Sequence, residues 1–318
     1  VGTLATLGVM LSTTTIGSGF YFLCLLLGFE IDFIICLIFG AVVSPTDPVA
    51  VLALLKHLKI RPQLEATIGG ESLFNDGVAV VLYTILVTVA FGVSGGHGVD
   101  VPDAGSVIGL FVREAFGGAL LGIVAGFFAF LLMRKMDDYV IEVVTTIALV
   151  SGAYTIALHL HISGPIAMVV AGVFIGNTGR RLAMSEETRI HVTQFWHLID
   201  EILNAALFVL IGFQVIMLSY QPSVIFISIL CIPLAIGARC MAVGIPLQVL
   251  SPLVQKKPGD VLILTWAGLR GGISVALALS LPDIEAKPLI LTATYTVVVF
   301  SILIQGLTIG KIIRWAQR

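Results

Sequence analysis

Apolar residues run along this chain in long blocks separated by short polar connections. A helix that crosses a bilayer needs about 20 such residues. Ten blocks qualify as candidate spans, at about 2–27, 33–55, 67–93, 106–133, 139–158, 163–178, 196–218, 223–249, 260–281 and 289–312. The sixth is short and holds Gly164-Pro165 near its start, which predicts a tilted, broken or partly re-entrant segment. Polar groups interrupt three blocks where a membrane helix should be oily. The second carries Ser44-Pro45-Thr46-Asp47-Pro48, the third opens on Gly70-Glu71-Ser72-Leu73-Phe74-Asn75-Asp76-Gly77, and the ninth holds Arg270-Gly271-Gly272 between Trp266 and Leu279. A charge at bilayer depth costs roughly 2.5–3.5 kcal/mol even on mild scales, so such residues are candidates for function.

The basic residues orient the blocks. Lys56, Lys59 and Arg61 follow the second, Arg134 and Lys135 the fourth, and Arg180, Arg181 and Arg189 the sixth. Lys256 and Lys257 follow the eighth, and Lys311, Arg314 and Arg318 the tenth. The opposite connections hold only Lys287. Positive charge collects on the cytoplasmic side, which predicts a cytoplasmic C-terminus. The alternation also supports ten spans, because one missed span would scramble it. The second span then runs inward and the ninth outward. Proline removes a backbone donor and glycine weakens a helix interior, so both spans are expected to break. Non-helical backbone at this depth survives where it is buried in protein or lines a wet cavity. Oppositely directed broken spans at matching positions in two three-helix units (spans 1–3 and 8–10) predict an inverted-repeat transporter with its site at the midplane.

Composition agrees. Of 318 residues, 58% are hydrophobic and 11% charged, against about 25% charged in soluble domains, and the mean hydropathy is +1.08. The expected fold class is an all-α polytopic membrane protein in the plasma or inner membrane. The net charge of −2 gives no reason to expect a nucleic-acid partner. Cys24, Cys36, Cys231 and Cys240 all lie in apolar blocks and read as small buried hydrophobes. No nucleotide-binding loop, nucleophile elbow or Cys/His metal spacing is present, so neither enzyme activity nor a cofactor is expected. No signal peptide is recognisable, and the chain opens on Val1 inside an apolar run, which suggests an upstream segment.

On the third span Ser72 and Asp76 are four apart and share a helical face, while Glu71 and Asn75 share the neighbouring one. Hard monovalent cations take oxygen ligands. Asp76, Ser72 and the Thr46-Asp47 backbone are the candidate set, with Asp76 as the acid that holds either a proton or a cation. Burial brings the two into competition at physiological pH. Arg239, in Ile236-Gly237-Ala238-Arg239 of the eighth span, needs a buried partner, and Glu71 is the natural one. Arg270 is assigned to pair with Asp47 or to offset the half-helix ends, with interfacial snorkelling as the plain alternative. Asp200, Glu201 and Asn204 read as a solvated helix end.

Ser44-Pro-Thr-Asp-Pro-Val-Ala-Val51, Gly70-Glu-Ser-Leu-Phe-Asn-Asp-Gly77 and Trp266-Ala-Gly-Leu-Arg-Gly-Gly-Ile-Ser-Val-Ala-Leu-Ala278 resemble the monovalent cation/proton antiporters of the NhaP/NHE branch. The Phe195-Trp196 to Gly212 stretch is similar to the segment between those motifs, and the resemblance covers essentially the whole chain. It implies a homodimer of thirteen-helix subunits with two broken helices crossing in a core domain. Residues 1–105 and 219–318 would be the two core repeats, and 106–218 the linker and dimer-domain helices. About three helices would precede Val1. Asp76 would bind ion and proton, Asn75 would stand where electrogenic relatives carry a second Asp, and Ser72, Thr46 and Asp47 would complete the cation site. Glu71 and Arg239 would form a stabilising pair. One acid implies electroneutral exchange of sodium, lithium or potassium for one proton, with the core carrying the site past a dimer scaffold. The rival readings are a channel or symporter on a related scaffold, and a non-transporting fragment or regulatory partner.

Overall fold

A computed structural model describes residues 1–47, 51, 61–92, 104–135, 138–179, 182–215, 221–249 and 259–316. The continuation of the second span through Pro48, and Lys56, Lys59, Arg180, Arg181, Lys256, Lys257 and Arg318, lie outside the described residues.

The described residues form α1 (Gly2–Leu26), α2 (Phe33–Val43), α3 (Pro62–Phe91), α4 (Ala104–Met133), α5 (Tyr139–Leu160), α6 (Gly164–Phe174), α7 (Glu186–Val215), α8 (Pro222–Val249), α9 (Asp260–Ala267), α10 (Gly272–Leu279), α11 (Lys287–Phe300) and α12 (Gly306–Ala316). π-turns at Ile175–Gly179 and Ser301–Gln305 extend α6 and join α11 to α12. Among the described residues there is no sheet. A helix satisfies its own backbone, and within lipid that leaves helices or closed barrels as the spanning structures.

Six of these helices, and the continuous run Lys287–Ala316 made by α11, its π-turn and α12, are long and apolar enough to cross a bilayer, and two shorter apolar ones accompany them at Phe33–Val43 and Gly164–Gly179. The ninth expected span is the broken pair α9 and α10. The lower count of long helices therefore reflects breaks in the second and ninth spans and a short sixth. α7 begins at Glu186, ten residues before the expected span, because a helix can run out past the apolar block into water. The helix ends follow local chemistry. Asp138 caps α5 by accepting from the Val140 and Ile141 amides. Ser163 caps α6 by accepting from Ile166 N. Pro62 opens α3 at the position where a missing N–H costs nothing.

The chain forms two compact units, residues 1–99 with 211–318, and residues 100–210. In the first, α1 packs on α2 and α8, and α8 on α11. Their shared core holds Phe20 and Phe39, with ring centroids 4.2 Å apart, surrounded by Ile38, Val42, Ile227 and Ile290. A second cluster of Leu4, Ile68, Val243, Leu264 and Ile313 closes the other end. Arg61, just before α3, pairs with Asp260 at the start of α9. In the second unit α4 packs on α5 and α6. There Trp196 Nε1 donates to Thr146 Oγ1 at 3.0 Å. Large side chains such as Leu26, Phe116, Leu210 and Leu307 are exposed on the outside, the pattern of a surface solvated by lipid.

Candidate cation site

The first unit contains two interrupted helices that meet. α2 ends at Val43, Ser44 N still donates to Gly40 O at 3.0 Å as the helix cap, and Pro45, Thr46 and Asp47 continue outside the helix. Asp47 N then donates to Leu269 O at 2.8 Å, forming an isolated antiparallel bridge. Leu269 lies in the gap between α9 and α10. Each unwound segment thus supplies a backbone partner that the other lacks, which is how irregular backbone is tolerated at this depth.

Glycine makes the close approach possible. A Cβ on Gly271 would lie 2.6 Å from Asp47 Cβ and collide with its carboxylate. A Cβ on Gly268 would press into the Arg239 guanidinium, 3.1 Å from Cζ.

Arg270 sits in the same gap and is buried. Its Nη1 donates to the carbonyls of Ser44 and Pro45, where α2 has ended and leaves acceptors without helical partners. Its backbone N–H donates to Ser301 Oγ at 2.8 Å, and Ser301 Oγ donates to Gln305 Oε1 at 2.7 Å. Both residues belong to the π-turn after α11. The extra residue in that turn points Ser301 and Gln305 inward, a use typical of π-bulges.

α3 faces the crossing with its polar stretch. Thr46 Oγ1 and Ser72 Oγ lie 3.1 Å apart. Asn75 Nδ2 donates to Thr46 Oγ1 at 2.6 Å. Thr46, Ser72 and Asn75 are all buried, and Asn75 Oδ1 is a buried acceptor without a hydrogen-bond partner among the described residues. Asp76 follows on the same helix and is partly exposed. Among the described residues no hydrogen bond or ion pair reaches its carboxylate, while the Asp47 carboxylate is near enough to act on it electrostatically. The arrangement gathers two acidic groups, two hydroxyls and an amide oxygen, the donor types a small hard cation takes.

Glu71 and Arg239 meet on the neighbouring face. Arg239 Nη1 donates to Glu71 Oε1, and Nη2 to Oε2 at 2.8 Å and to Leu264 O at 3.4 Å. Both side chains are buried, with 1% and 7% of their surfaces exposed. A two-pronged guanidinium–carboxylate contact satisfies each charge directionally. Outside the spans, Lys287 hydrogen-bonds to Asp283 at 2.9 Å and holds that exposed carboxyl below the usual range.

All eight residues singled out in the sequence therefore lie in one unit. The sequence reading placed Ser44 in the polar interruption without a role, and it left out Ser301, Gln305 and Thr13, whose Oγ1 lies 2.9 Å from Ser44 Oγ. A usable signal existed: Ser301 and Gln305 are two polar residues four apart inside an apolar block.

Comparison with known proteins follows the same lines. The sequence profile of the family described as "Sodium/hydrogen exchanger, transmembrane" matches residues 1–315. The Na(+)/H(+) antiporter NhaP of Pseudomonas aeruginosa is 47% identical over 319 aligned positions, covering 99% of this chain and 74% of that protein. The Na(+)/H(+) antiporter NhaH of Halobacillus aidingensis is 36% identical, covering 98% and 74%. The sodium proton antiporter MjNhaP1 of Methanocaldococcus jannaschii at pH 8 superimposes with a TM-score of 0.76 at 18% identity, covering 99% of this chain and 78% of that one, a likeness of fold. With the family's profile spanning almost every residue and relatives aligned over nearly all of this chain, this chain belongs to the sodium/hydrogen exchanger family.

Proposed function

We propose that the protein is a secondary antiporter that exchanges sodium, or another small monovalent cation, for protons. The observation that carries the reading is the oxygen cluster at the helix crossing: Thr46 and Ser72 hydroxyls, the buried Asn75 Oδ1, and the Asp76 carboxylate beside Asp47. The antiporter names of its relatives support it. Asp76 is the acid that alternates between proton and cation. Ser72, Thr46, Asp47 and Asn75 supply the remaining oxygens or position them. Because a carboxylate holds a proton or a cation and not both, one site visited from each side in turn performs exchange without ATP or a covalent intermediate. Asn75, carrying no charge beside Asp76, favours one cation for one proton, an electroneutral cycle.

Glu71 and Arg239 hold α3 to α8 around that site, and Arg270 ties the end of α2 to the α9–α10 gap. The two core repeats are residues 1–105 and 219–318, and 106–218 supplies the linker and the helices of a homodimer. The C-terminus lies in the cytoplasm.

The test is dye-reported proton flux in everted membrane vesicles, with sodium, lithium or potassium added. Cation-dependent proton movement is expected for the wild-type chain and none for Asp76→Asn at equal membrane insertion. Exchange that survives in Asp76→Asn removes that residue from its role. Cation flux without obligatory proton counterflow points to a channel.

A further inference from the structure

Arg239, Thr265 and Arg270 belong to three different stretches of chain and converge on one small cavity, lined also by Gly268, Phe300 and Gln305. All three are more than nine-tenths buried, with exposures of 7%, 5% and 3%. Each brings a polar atom with no hydrogen-bond partner among the described residues: Arg239 Nε, Thr265 Oγ1 and Arg270 Nη2. Arg239 Nη1 and Nη2 are occupied by Glu71 and Leu264 O, and Arg270 Nη1 by Ser44 O and Pro45 O. Three orphaned groups around one void are not three separate defects. Buried donors that lack protein partners are ordinarily satisfied by an internal water.

Size and charge select the guest. The void leaves about 10 Å³ for the centre of a small molecule, near the amount one water needs. Two of the three unpartnered atoms are N–H donors, so the guest must accept hydrogen bonds, which excludes a metal cation. A halide would accept them too, and two guanidinium groups would attract it. However, Glu71 already balances Arg239 at contact distance, carbonyls of the α2 end hold Arg270, and a halide is larger than water.

We propose that one ordered water occupies this cavity, accepting from Arg239 Nε and Arg270 Nη2 and donating to Thr265 Oγ1. The water joins two buried arginine networks. On one side is the Glu71–Arg239 pair, which fastens α3 to α8. On the other is Arg270, which fastens the end of α2 to the α9–α10 gap. Thr265, in the last turn of α9, is the third anchor. The proposal goes beyond the exchange reading and stands or falls independently of it, since its readout is electron density.

The experiment is a crystal structure of the wild-type protein in lipid, at a resolution where buried waters are visible, from crystals grown in chloride and soaked in bromide. The expected result is a single peak within hydrogen-bond distance of all three atoms, without bromide anomalous signal. Thr265→Val should lose the peak and Thr265→Ser should keep it. An anomalous peak overturns the water in favour of an anion. An empty cavity in a map that shows other internal waters overturns it as well, as does a peak unchanged in Thr265→Val.

Discussion

Glu71 and Arg239 are each other's solvent. Both are buried, and their contact is two-pronged. Removing one partner leaves the other charge stranded, at about 3–5 kcal/mol, whereas replacing both with apolar residues of similar volume is often neutral. Glu71→Gln and Arg239→Gln should therefore each lower the thermal midpoint in detergent sharply, and Glu71→Met with Arg239→Met should lower it less than either. Equal losses in all three proteins would mean the pair contributes nothing as a pair. Asp76 makes the opposite prediction. No hydrogen bond or ion pair among the described residues depends on its carboxylate, so Asp76→Asn should remove exchange while leaving stability nearly untouched. Stability and transport separate at two residues five positions apart on one helix. Much of this was visible as charge in an oily block. For Arg270 the sequence offered a half-helix end as one possible partner but not the atoms, since a backbone carbonyl has no identity in a sequence, and Ser44 O and Pro45 O become acceptors only because α2 stops there.

At the scale of elements, the breaks in two helices are the feature to disturb. Gly271→Ala puts a methyl group against the Asp47 carboxylate, 2.6 Å from Asp47 Cβ. Overpacking of this kind costs about 1–3 kcal/mol. Exchange in Gly271→Ala should fall much further than that loss of stability explains, because the displaced group belongs to the site. A variant that folds and transports like wild type would show that the crossing is looser than its geometry. The break positions were legible from Pro45 and Pro48 and from Arg270-Gly271-Gly272, where local chemistry opposes a helix. The π-turn at Ser301–Gln305 was not, because Ile302, Leu303 and Ile304 read as continuous apolar helix and the turn is set by what Ser301 and Gln305 touch. The early start of α7 escaped for a different reason. Hydropathy marks where lipid ends, and Glu186 to Phe195 form helix beyond that limit.

The whole molecule is a chain that crosses a membrane repeatedly, and its orientation rests on the distribution of charge. The loop carrying Asp283 is predicted to face outward and Arg314 inward. Asp283 is fully exposed, so a cysteine there is open to reagent without disturbing the core. In a background lacking the four native cysteines, a membrane-impermeant maleimide applied to intact cells should label Asp283→Cys and leave Arg314→Cys unlabelled until the membrane is opened. Reversed labelling would invert the topology. The inverted relation between the first and last three spans was legible as two interruptions with opposite charge polarity. The pairing of their backbones was not, because 222 residues separate Asp47 from Leu269 in the chain.

That pairing has a consequence in time. The Asp47 amide proton is held by Leu269, and the Arg270 amide proton by Ser301. Neither can trade with solvent deuterium until the crossing opens. If the two segments part together, both amides exchange at one common rate, set by the opening and not by their separate neighbours. Deuterium uptake followed by mass spectrometry on peptides containing residues 47 and 270 should then show matched kinetics, slowed in step when sodium is added. The crossing acts as a clock for the event that transport requires. A fast Asp47 with a slow Arg270 would mean that the two broken helices loosen one at a time.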